Sequence, residues 1–568
     1  MISSYKANEW MTSGYLVPNE IIEIKSLLNE NGSSLKEAFY KDLEFGTGGL
    51  RGIIGIGTNR INRFTIRKAT QGVSNQISKI CGDKLKKAVV AYDTRNYSKE
   101  FALETALVFA ANGFKTYLFA DVTPTPILSF AVRFLKADVG VVITASHNPK
   151  EYNGYKVYNS LGGQITLELA HDFEQEIKRL NPFDDVKIIS ENESKNSGLL
   201  NYVDNLIYKA YYEKVLNFNE RPGIGIDLSI VYTPIHGSGL KHVKNLIDSR
   251  GYKLKIVKEQ SNFDGTFPTV KYPNPEEESA LYLAVKLATK IDADIVLGTD
   301  PDADRVGVAV KHNGSYKYLT GNEIGVLLLN HIASKRKVNE SDYVIKTIVT
   351  SDLGKEIARK NGASVIETLT GFKFIGEKIQ ELVDDNKNFL FGYEESYGFL
   401  KDSFVRDKDA LMSSLLICDM ASFYKKQNKT LIDVLDEIYK EFGYYSNILS
   451  TITFGGVDGI EKMNLIIKTL ISRVEKINAL NPYSFLRYYE NYNTRLCVDL
   501  LNNNITSLKF PSANVIKFIF NDNSWIVVRP SGTEPKLKIY IQSISNSKEK
   551  SLSLIERLDI GIKKLLNN

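Results

Sequence analysis

Val139-Gly140-Val141-Val142-Ile143-Thr144-Ala145-Ser146-His147-Asn148-Pro149 decides how this chain reads. Its first five residues are a short apolar run suited to a buried strand. Asn148-Pro149 stops regular structure. Ser146 therefore falls on a tight loop where a strand ends, the edge at which open α/β sheets bind ligands. Two readings stand at this point: a polar strand-end turn, or a hydroxyl nucleophile that something nearby activates.

The flanking sequence predicts an α/β layer. Lys87 to Tyr92 reads as a strand ending in Asp93-Thr94-Arg95, Phe101 to Asn112 as a helix, and Lys115 to Phe119 as a strand. Pro124-Thr125-Pro126 opens a helix through Ala137, and the Ser146 strand follows. Strand, helix, strand, helix, strand is the pattern of a parallel layer. Upstream, Asn8 to Tyr40 has helical spacing, and Phe45-Gly46-Thr47-Gly48-Gly49-Leu50-Arg51-Gly52 crowds glycines around one arginine. That loop is either a flexible turn with a solvated Arg51 or a backbone that approaches a ligand while Arg51 forks onto a phosphate.

Downstream, Tyr152 to Tyr158 reads as a turn into a short strand and Thr166 to Arg179 as a helix. Asp184 to Gly198 reads as a surface loop, and a helix from about Tyr202 to Phe218 leads to the next unit. A second α/β unit places the strand Ser229 to Tyr232 before His236, which reads as a turn or packing residue. After the helix Ala280 to Ile291, the strand Asp294 to Gly298 runs into Thr299-Asp300-Pro301-Asp302-Ala303-Asp304-Arg305. If extended geometry continues, the three carboxylates face one way. Hard oxygen donors beside a substrate phosphate suit Mg²⁺. An EF-hand fails here, because its glycine position is Arg305 and its closing glutamate is Lys311. A solvated acidic turn is the remaining alternative.

A third unit runs from a helix starting near Gly321 through strands at Tyr343 to Ile348 and Ala363 to Glu367 to Thr370-Gly371-Phe372-Lys373. The strand Phe389 to Gly392 ends at Tyr393-Glu394-Glu395-Ser396, and Arg406-Asp407-Lys408-Asp409 opens the helix Ala410 to Lys425. Glu394 and Ser396 fit adjacent sugar hydroxyls or a solvated turn. Lys408 among its acids fits a surface ion-pair cluster or a lysine that trades protons with a substrate. The last part reads as α+β, with strands at Ile448 to Phe454, Leu508 to Phe510, Val515 to Phe520 and Ser524 to Val528 beside helical Gly459 to Ile477 and Lys548 to Leu566. Its loop, Arg529-Pro530-Ser531-Gly532-Thr533-Glu534-Pro535-Lys536-Leu537-Lys538, has the makings of a phosphate nest.

The 568 residues predict three to five domains at ~150 residues each. We divide them as 1–212, 213–320, 321–443 and 444–568: three similar α/β domains, then an α+β domain, around a central cleft. Apolar content of 43% and charged content of 24% are those of an ordinary globular protein. A net charge of +5 over this length makes no case for nucleic acid or an acidic membrane surface. Cys81, Cys418 and Cys497 lack metal-ligand spacing and read as free thiols. No signal-peptide core follows Met1, and no apolar run spans a bilayer, so the expectation is a cytoplasmic protein.

Taken together, these loops resemble the α-D-phosphohexomutase superfamily, the phosphoglucomutase and phosphomannomutase enzymes. Thr144 to Pro149 is similar to its phosphoserine loop, Asp300 to Arg305 to its metal loop, Glu394-Glu395-Ser396 to its sugar loop and Arg529 to Pro535 to its phosphate loop, all in the family's order. The resemblance implies interconversion of glucose 1-phosphate and glucose 6-phosphate through a phosphoserine at Ser146 and a sugar bisphosphate that serves as intermediate and activator. It implies Mg²⁺ on Asp300, Asp302, Asp304 and the Ser146 phosphate, with Arg51, His147 and Lys408 assisting the transfer. Substrate contacts are implied for Thr47, Arg305, Gly371, Phe372, Lys373, Glu394, Ser396, Arg529, Ser531, Gly532 and Thr533, in a monomer or weak dimer.

Some bacterial members carry a histidine just after the sugar-loop serine and another in the preceding loop; here those places are Gly398 and Phe372. The Phe45 to Arg51 and Thr370 to Lys373 strings look most like the branch that includes phosphoglucomutases with phosphopentomutase activity. Mannose and pentose phosphates therefore remain alternative substrates. A serine hydrolase has no use for the acidic loop and would need a Gly-x-Ser-x-Gly elbow, which Ser146 lacks. A non-catalytic sugar-phosphate binder would need neither the serine nor the aspartates.

Overall fold

The computed structural model describes residues 2–30, 32–46, 48–217, 227–454, 459–530 and 536–567. Two compact units result: Met1–Ile324 with Phe372–Thr430, and Gly325–Gly371 with Leu431–Asn568.

In the first unit, the strand Val139–Ile143 is buried along its whole length and lies inside a six-stranded sheet. Across that sheet the order is Leu50–Ile53, Tyr152–Asn159, Val139–Ile143, Lys87–Tyr92, Lys115–Leu118 and Leu200–Tyr202. The last four pair in parallel: three are the strands the alternating pattern predicts, and the fourth, Leu200–Tyr202, is a strand the sequence reading did not expect. Tyr152–Asn159 pairs antiparallel with both of its neighbours. The Thr144-to-Glu151 connection is too short for a parallel crossover, so the chain must turn back beside its own strand. This hairpin puts Ser146 at the carboxyl end of the parallel strands.

Helix Arg63–Cys81 shows how local sequence builds the layer. Asn62 accepts from the backbone N–H of Phe64 and Thr65, and the Thr65 hydroxyl accepts from Asn62 N–H, a capping box. Ile66, Ala69, Val73 and Ile77 then recur on one face and join the core with Val90, Phe109, Ile143 and Phe173.

The second sheet of this unit has the order Ser315–Leu319, Val306–His312, Ile295–Thr299, Ser229–Thr233, Lys253–Ile256, antiparallel at the first two junctions and parallel after. Asn388–Glu394 and Gly398–Leu400 form a tight antiparallel hairpin. Helix Ala410–Lys425, capped by Asp409 through the Met412 N–H, is buried on nearly every side.

In the second unit, Asp342–Thr347 and Ser364–Thr368 pair in parallel. A seven-stranded antiparallel sheet runs Tyr444–Thr453, Lys536–Ser545, Trp525–Pro530, Ile516–Phe520, Leu486–Asn491, Leu496–Asp499, Asn504–Ser507. Helix Lys548–Asn567 contributes Leu554, Leu558 and Ile562 to its core.

Several expectations need correction. Asp184 to Gly198 carries a short helix, Glu191–Asn196, because Ser190 and Glu193 close a capping box. Leu508 to Phe510 is not a strand; the strand Asn504–Ser507 stops just before it, and Pro511 has no N–H to donate to a ladder. Gly459 to Ile477 is broken by a 3₁₀ turn at Ile471–Arg473. Phe372 begins a helix, Phe372–Asp384, and Lys536 begins a strand, so both candidate loops are shorter than read. Cys81, Cys418 and Cys497 are unpaired thiols. Among the described residues, no helix is long and apolar enough to cross a membrane.

Candidate active site

Ser146 is 3% exposed and adopts φ 51°, a left-handed conformation that costs a non-glycine residue roughly 1–2 kcal/mol. Its Oγ donates to Asp300 Oδ2 at 2.8 Å and lies 3.2 Å from His147 Nδ1. Burial first, then the neighbouring Arg305 and Arg51 guanidinium groups, push the His147 imidazole well below its ordinary value, so the ring is neutral at pH 7. Arg51, on Leu50–Ile53, donates to Asn148 Oδ1 at 3.1 Å, which ties the glycine loop to the serine loop.

Asp300, Asp302 and Asp304 are buried, and one oxygen from each lies within 4.8 Å of the others. They converge for a different reason from the one the sequence suggests. The chain turns after Thr299 instead of staying extended, with Ala303 at φ 50°. Asp300 Oδ1 accepts the backbone N–H groups of Asp304 and Arg305, each at 3.0 Å, and so folds the turn onto itself. Gly237 lets the turn sit close, since a Cβ there would lie 2.6 Å from Pro301 Cα. The solvated-turn alternative is therefore wrong.

Thr125 Oγ1 donates to Asp302 Oδ2 at 2.8 Å. Lys156 Nζ, buried on Tyr152–Asn159, donates to Asp302 Oδ2 at 2.7 Å and Asp304 Oδ2 at 3.3 Å. Asp302 Oδ1 and Asp304 Oδ1 are buried and accept no hydrogen bond. Burial and the two neighbouring carboxylates raise Asp300 well above its ordinary range. Burial alone would raise Asp304 too, but the Lys408 and Lys156 ammonium groups hold it well below that range. Hard oxygen donors, two of them orphaned, beside a serine hydroxyl are the donor set a small divalent cation takes.

Lys408 Nζ lies 2.9 Å from Asp304 Oδ2 and 3.5 Å from Asp407 Oδ1. Arg406, Asp407, Lys408 and Asp409 are all buried, which overturns the surface-cluster reading of this string. Burial pulls the Lys408 ammonium down, but Asp304, Asp407 and Glu394 outweigh it and hold it protonated. The Phe372 ring lies 5.9 Å from Lys408 Nζ. Gly398 makes room for this lysine: a Cβ there would sit 2.1 Å from Lys408 Cδ.

Glu394 is 5% exposed at the end of its strand, and half-buried Ser396 follows in the hairpin turn, so this too is no solvated turn. Lys373 is buried on the first turn of its helix, where desolvation lowers it to about 8 against the opposing pull of Glu377. Arg305 pairs with Glu276 and lies 3.8 Å from Asp304 Oδ1. Gly371 and half-buried Arg529 belong to the second unit, where Arg529 pairs in register with Lys538. Thr47, Ser531, Gly532 and Thr533 lie outside the described residues.

The sequence reading missed Arg95, Asp93, Thr125 and Lys156 as site components. A signal existed for each: Asp93-Thr94-Arg95 ends a buried strand, Thr125 opens a helix, and Lys156 is a charge inside an otherwise buried strand.

Profiles of four domains match the chain in order: "Phosphoglucomutase/phosphomannomutase, alpha/beta/alpha domain I" at residues 42–182, domain II at 208–314, domain III at 320–442 and the C-terminal domain at 470–554. The chain belongs to the phosphoglucomutase/phosphomannomutase family. Its fold is that family's four-domain α/β architecture. A phosphoglucomutase from Staphylococcus haemolyticus is 37% identical over 518 residues, covering 89% of this chain and 91% of that one. One from Staphylococcus aureus (strain USA300) is 38% identical over 513 residues, covering 89% and 90%. Among solved structures, a putative phosphomannomutase from Thermus thermophilus superposes with TM-score 0.69 at 20% identity, covering 93% of this chain and all of that one. Parafusin, a phosphoglucomutase from Paramecium, does so at TM-score 0.69 and 19% identity, covering 92% and 95%. These two likenesses speak for the family fold alone.

Proposed function

We infer that the chain is a phosphoglucomutase, an isomerase that moves a phosphoryl group between the 1- and 6-positions of glucose phosphate. The observation that carries this reading is Ser146 Oγ at 2.8 Å from a buried aspartate trio with two orphaned oxygens. Phosphoryl transfer depends on in-line positioning and charge neutralisation, and that constellation sets a hydroxyl beside carboxylates that would hold a neutralising cation.

In the proposed cycle Ser146 carries a phosphoryl group. The 6-hydroxyl of glucose 1-phosphate attacks phosphorus, the Ser146 O–P bond breaks, and a sugar bisphosphate forms. The Lys408 ammonium gives a proton to Ser146 Oγ as the old O–P bond breaks, and the amine so formed takes the hydroxyl proton as the new bond forms. Lys408 is the proton carrier we assign, because its Nζ is buried beside Asp304 and Asp407 in the same site. The bisphosphate turns over, its 1-phosphate passes to Ser146, and glucose 6-phosphate leaves. Asp300, Asp302 and Asp304, with the Ser146 phosphate, would hold Mg²⁺. When bound, the cation neutralises charge on the phosphoryl oxygens. His147 and Arg51 orient the phosphoryl group, and Arg305 exchanges Glu276 for a phosphate oxygen. Glu394 and Ser396 select sugar hydroxyls, while Phe372 and Lys373 shape that end of the pocket. Arg529, with Ser531, Gly532 and Thr533, supplies donors for a sugar phosphate. We take the domains as 1–212, 213–320, 321–443 and 444–568, and the protein as cytoplasmic.

A coupled assay on glucose 1-phosphate, mannose 1-phosphate and ribose 1-phosphate tests the substrate. The account expects glucose 1-phosphate to be preferred. Preference for mannose or ribose phosphate would replace the sugar and leave the chemistry standing.

A further inference from the structure

We propose that Arg95 is a positioning residue for phosphoryl transfer, fixing Ser146 through the backbone of its loop rather than by touching substrate. The proposal rests on the reading that Ser146 carries the phosphoryl group.

Arg95 is 3% exposed, and both terminal guanidinium nitrogens donate to backbone carbonyls between Ser146 and Tyr152. Nη2 donates to Ser146 O at 2.6 Å and to Asn148 O. Nη1 donates to Pro149 O at 2.9 Å and Tyr152 O at 3.1 Å. The loop's own backbone ties are sparse turn bonds, Asn148 N–H to Ala145 O and Tyr152 N–H to Pro149 O. Sparse internal bonding leaves a strained φ of 51° at Ser146 to be held from outside.

Both ends of Ser146 are held. Its N–H donates to Thr144 Oγ1 at 2.8 Å, and that hydroxyl donates to Asp93 Oδ2 at 2.6 Å. Its carbonyl accepts from Arg95, whose Nε lies 3.5 Å from the same Asp93 oxygen. Asp93 Oδ1 accepts from Arg95 N–H and Ser98 Oγ, which fixes the carboxylate itself. On its other side the guanidinium stacks 5.0 Å from the Phe267 ring, and Gly265 lies so close that a Cβ would be 2.3 Å from Asn96 N. A planar fork can reach several carbonyls at once; a lysine ammonium on a flexible stem cannot reproduce it.

The test uses full-length Arg95→Lys and Arg95→Met, with Asp93→Asn as a milder variant in case both fold poorly. Steady-state kinetics on glucose 1-phosphate are paired with the rate of phosphate loading from glucose 1,6-bisphosphate, read by intact mass. Misplacing a reacting group by about 1 Å costs on the order of 100-fold, so kcat and the loading rate should fall together by about that factor in Arg95→Lys. KM should move less than about threefold, because substrate binding is untouched. Asp93→Asn should lose about tenfold in kcat in the same pattern. Folded Arg95→Lys with a lower Tm and wild-type kcat would overturn the proposal, as would a raised KM at unchanged kcat. A wild-type protein that takes no phosphate at Ser146 would remove the underlying reading and this proposal with it, an outcome distinct from a variant that behaves like wild type.

Discussion

Gly398→Ala should disable the enzyme without touching a polar group. A Cβ at Gly398 would meet Lys408 Cδ at 2.1 Å, Cγ at 2.8 Å and Cε at 3.4 Å. Carbon atoms rest at about 3.5–4.0 Å, so the lysine stem must retreat by roughly 1.5 Å. Lys408 is buried, with Asp304, Asp407 and the Phe372 ring around its Nζ, so the stem cannot shift without moving that group. Retreat on that scale takes Nζ from 2.9 Å to about 4 Å from Asp304 Oδ2, outside hydrogen-bond range. Overpacking should cost about 1–3 kcal/mol of stability. Loss of a positioned proton carrier should lower kcat by on the order of 100-fold or more. KM should change little, since Glu394 stays at the hairpin end where it pairs in register with Gly398. The assay is a coupled glucose 1-phosphate assay on Gly398→Ala, Lys408→Met and the double variant. Because both changes act on one side chain, the double variant should be no slower than Lys408→Met. Gly398→Ala with more than half of wild-type kcat, or a double variant showing the product of both losses, would refute the argument.

Two further outcomes follow from buried carboxylates. Asp302→Asn keeps an acceptor for Thr125 but removes one charge from the trio, so Mn²⁺ or Mg²⁺ affinity by calorimetry should fall more than about tenfold. Asp409 is fully buried, and burial pushes its carboxyl up to about 6 despite donors from Tyr211 and the Met412 N–H. A carboxyl raised on folding favours the native state below its unfolded value and loses that contribution as pH rises through about 6. Across pH 4 to 7, Asp409→Asn should therefore gain up to about 3 kcal/mol relative to wild type in urea unfolding. A flat difference would contradict the assigned shift.

The candidate loops were legible because most of them close a strand with a polar string, and strand ends are where such residues meet ligands. Ser146 and the aspartates could be picked out on chemistry alone, although the turn through Ala303, which makes the trio converge, could not. Lys408 stayed open between two readings because Asp407 and Asp409 look like a solvated cluster; only burial under the hairpin turns it inward. Arg95 and Lys156 escaped because their partners lie far along the chain, Lys156 and Asp302 being 146 residues apart. Leu496–Asp499 and Asn504–Ser507 pair with strands close in sequence and were hidden for another reason: their mixed polar residues show no clean alternation.

The central claim is that one serine hydroxyl is the phosphoryl carrier. Peptide mass mapping of the protein after incubation with glucose 1,6-bisphosphate, then after a chase with glucose 1-phosphate, tests it. The account predicts one phosphoryl group on Ser146 that drains during the chase, and neither loading nor turnover in Ser146→Ala. Wild-type-like mutase activity in Ser146→Ala, or a phosphoryl group that sits elsewhere and drains with turnover, would contradict it.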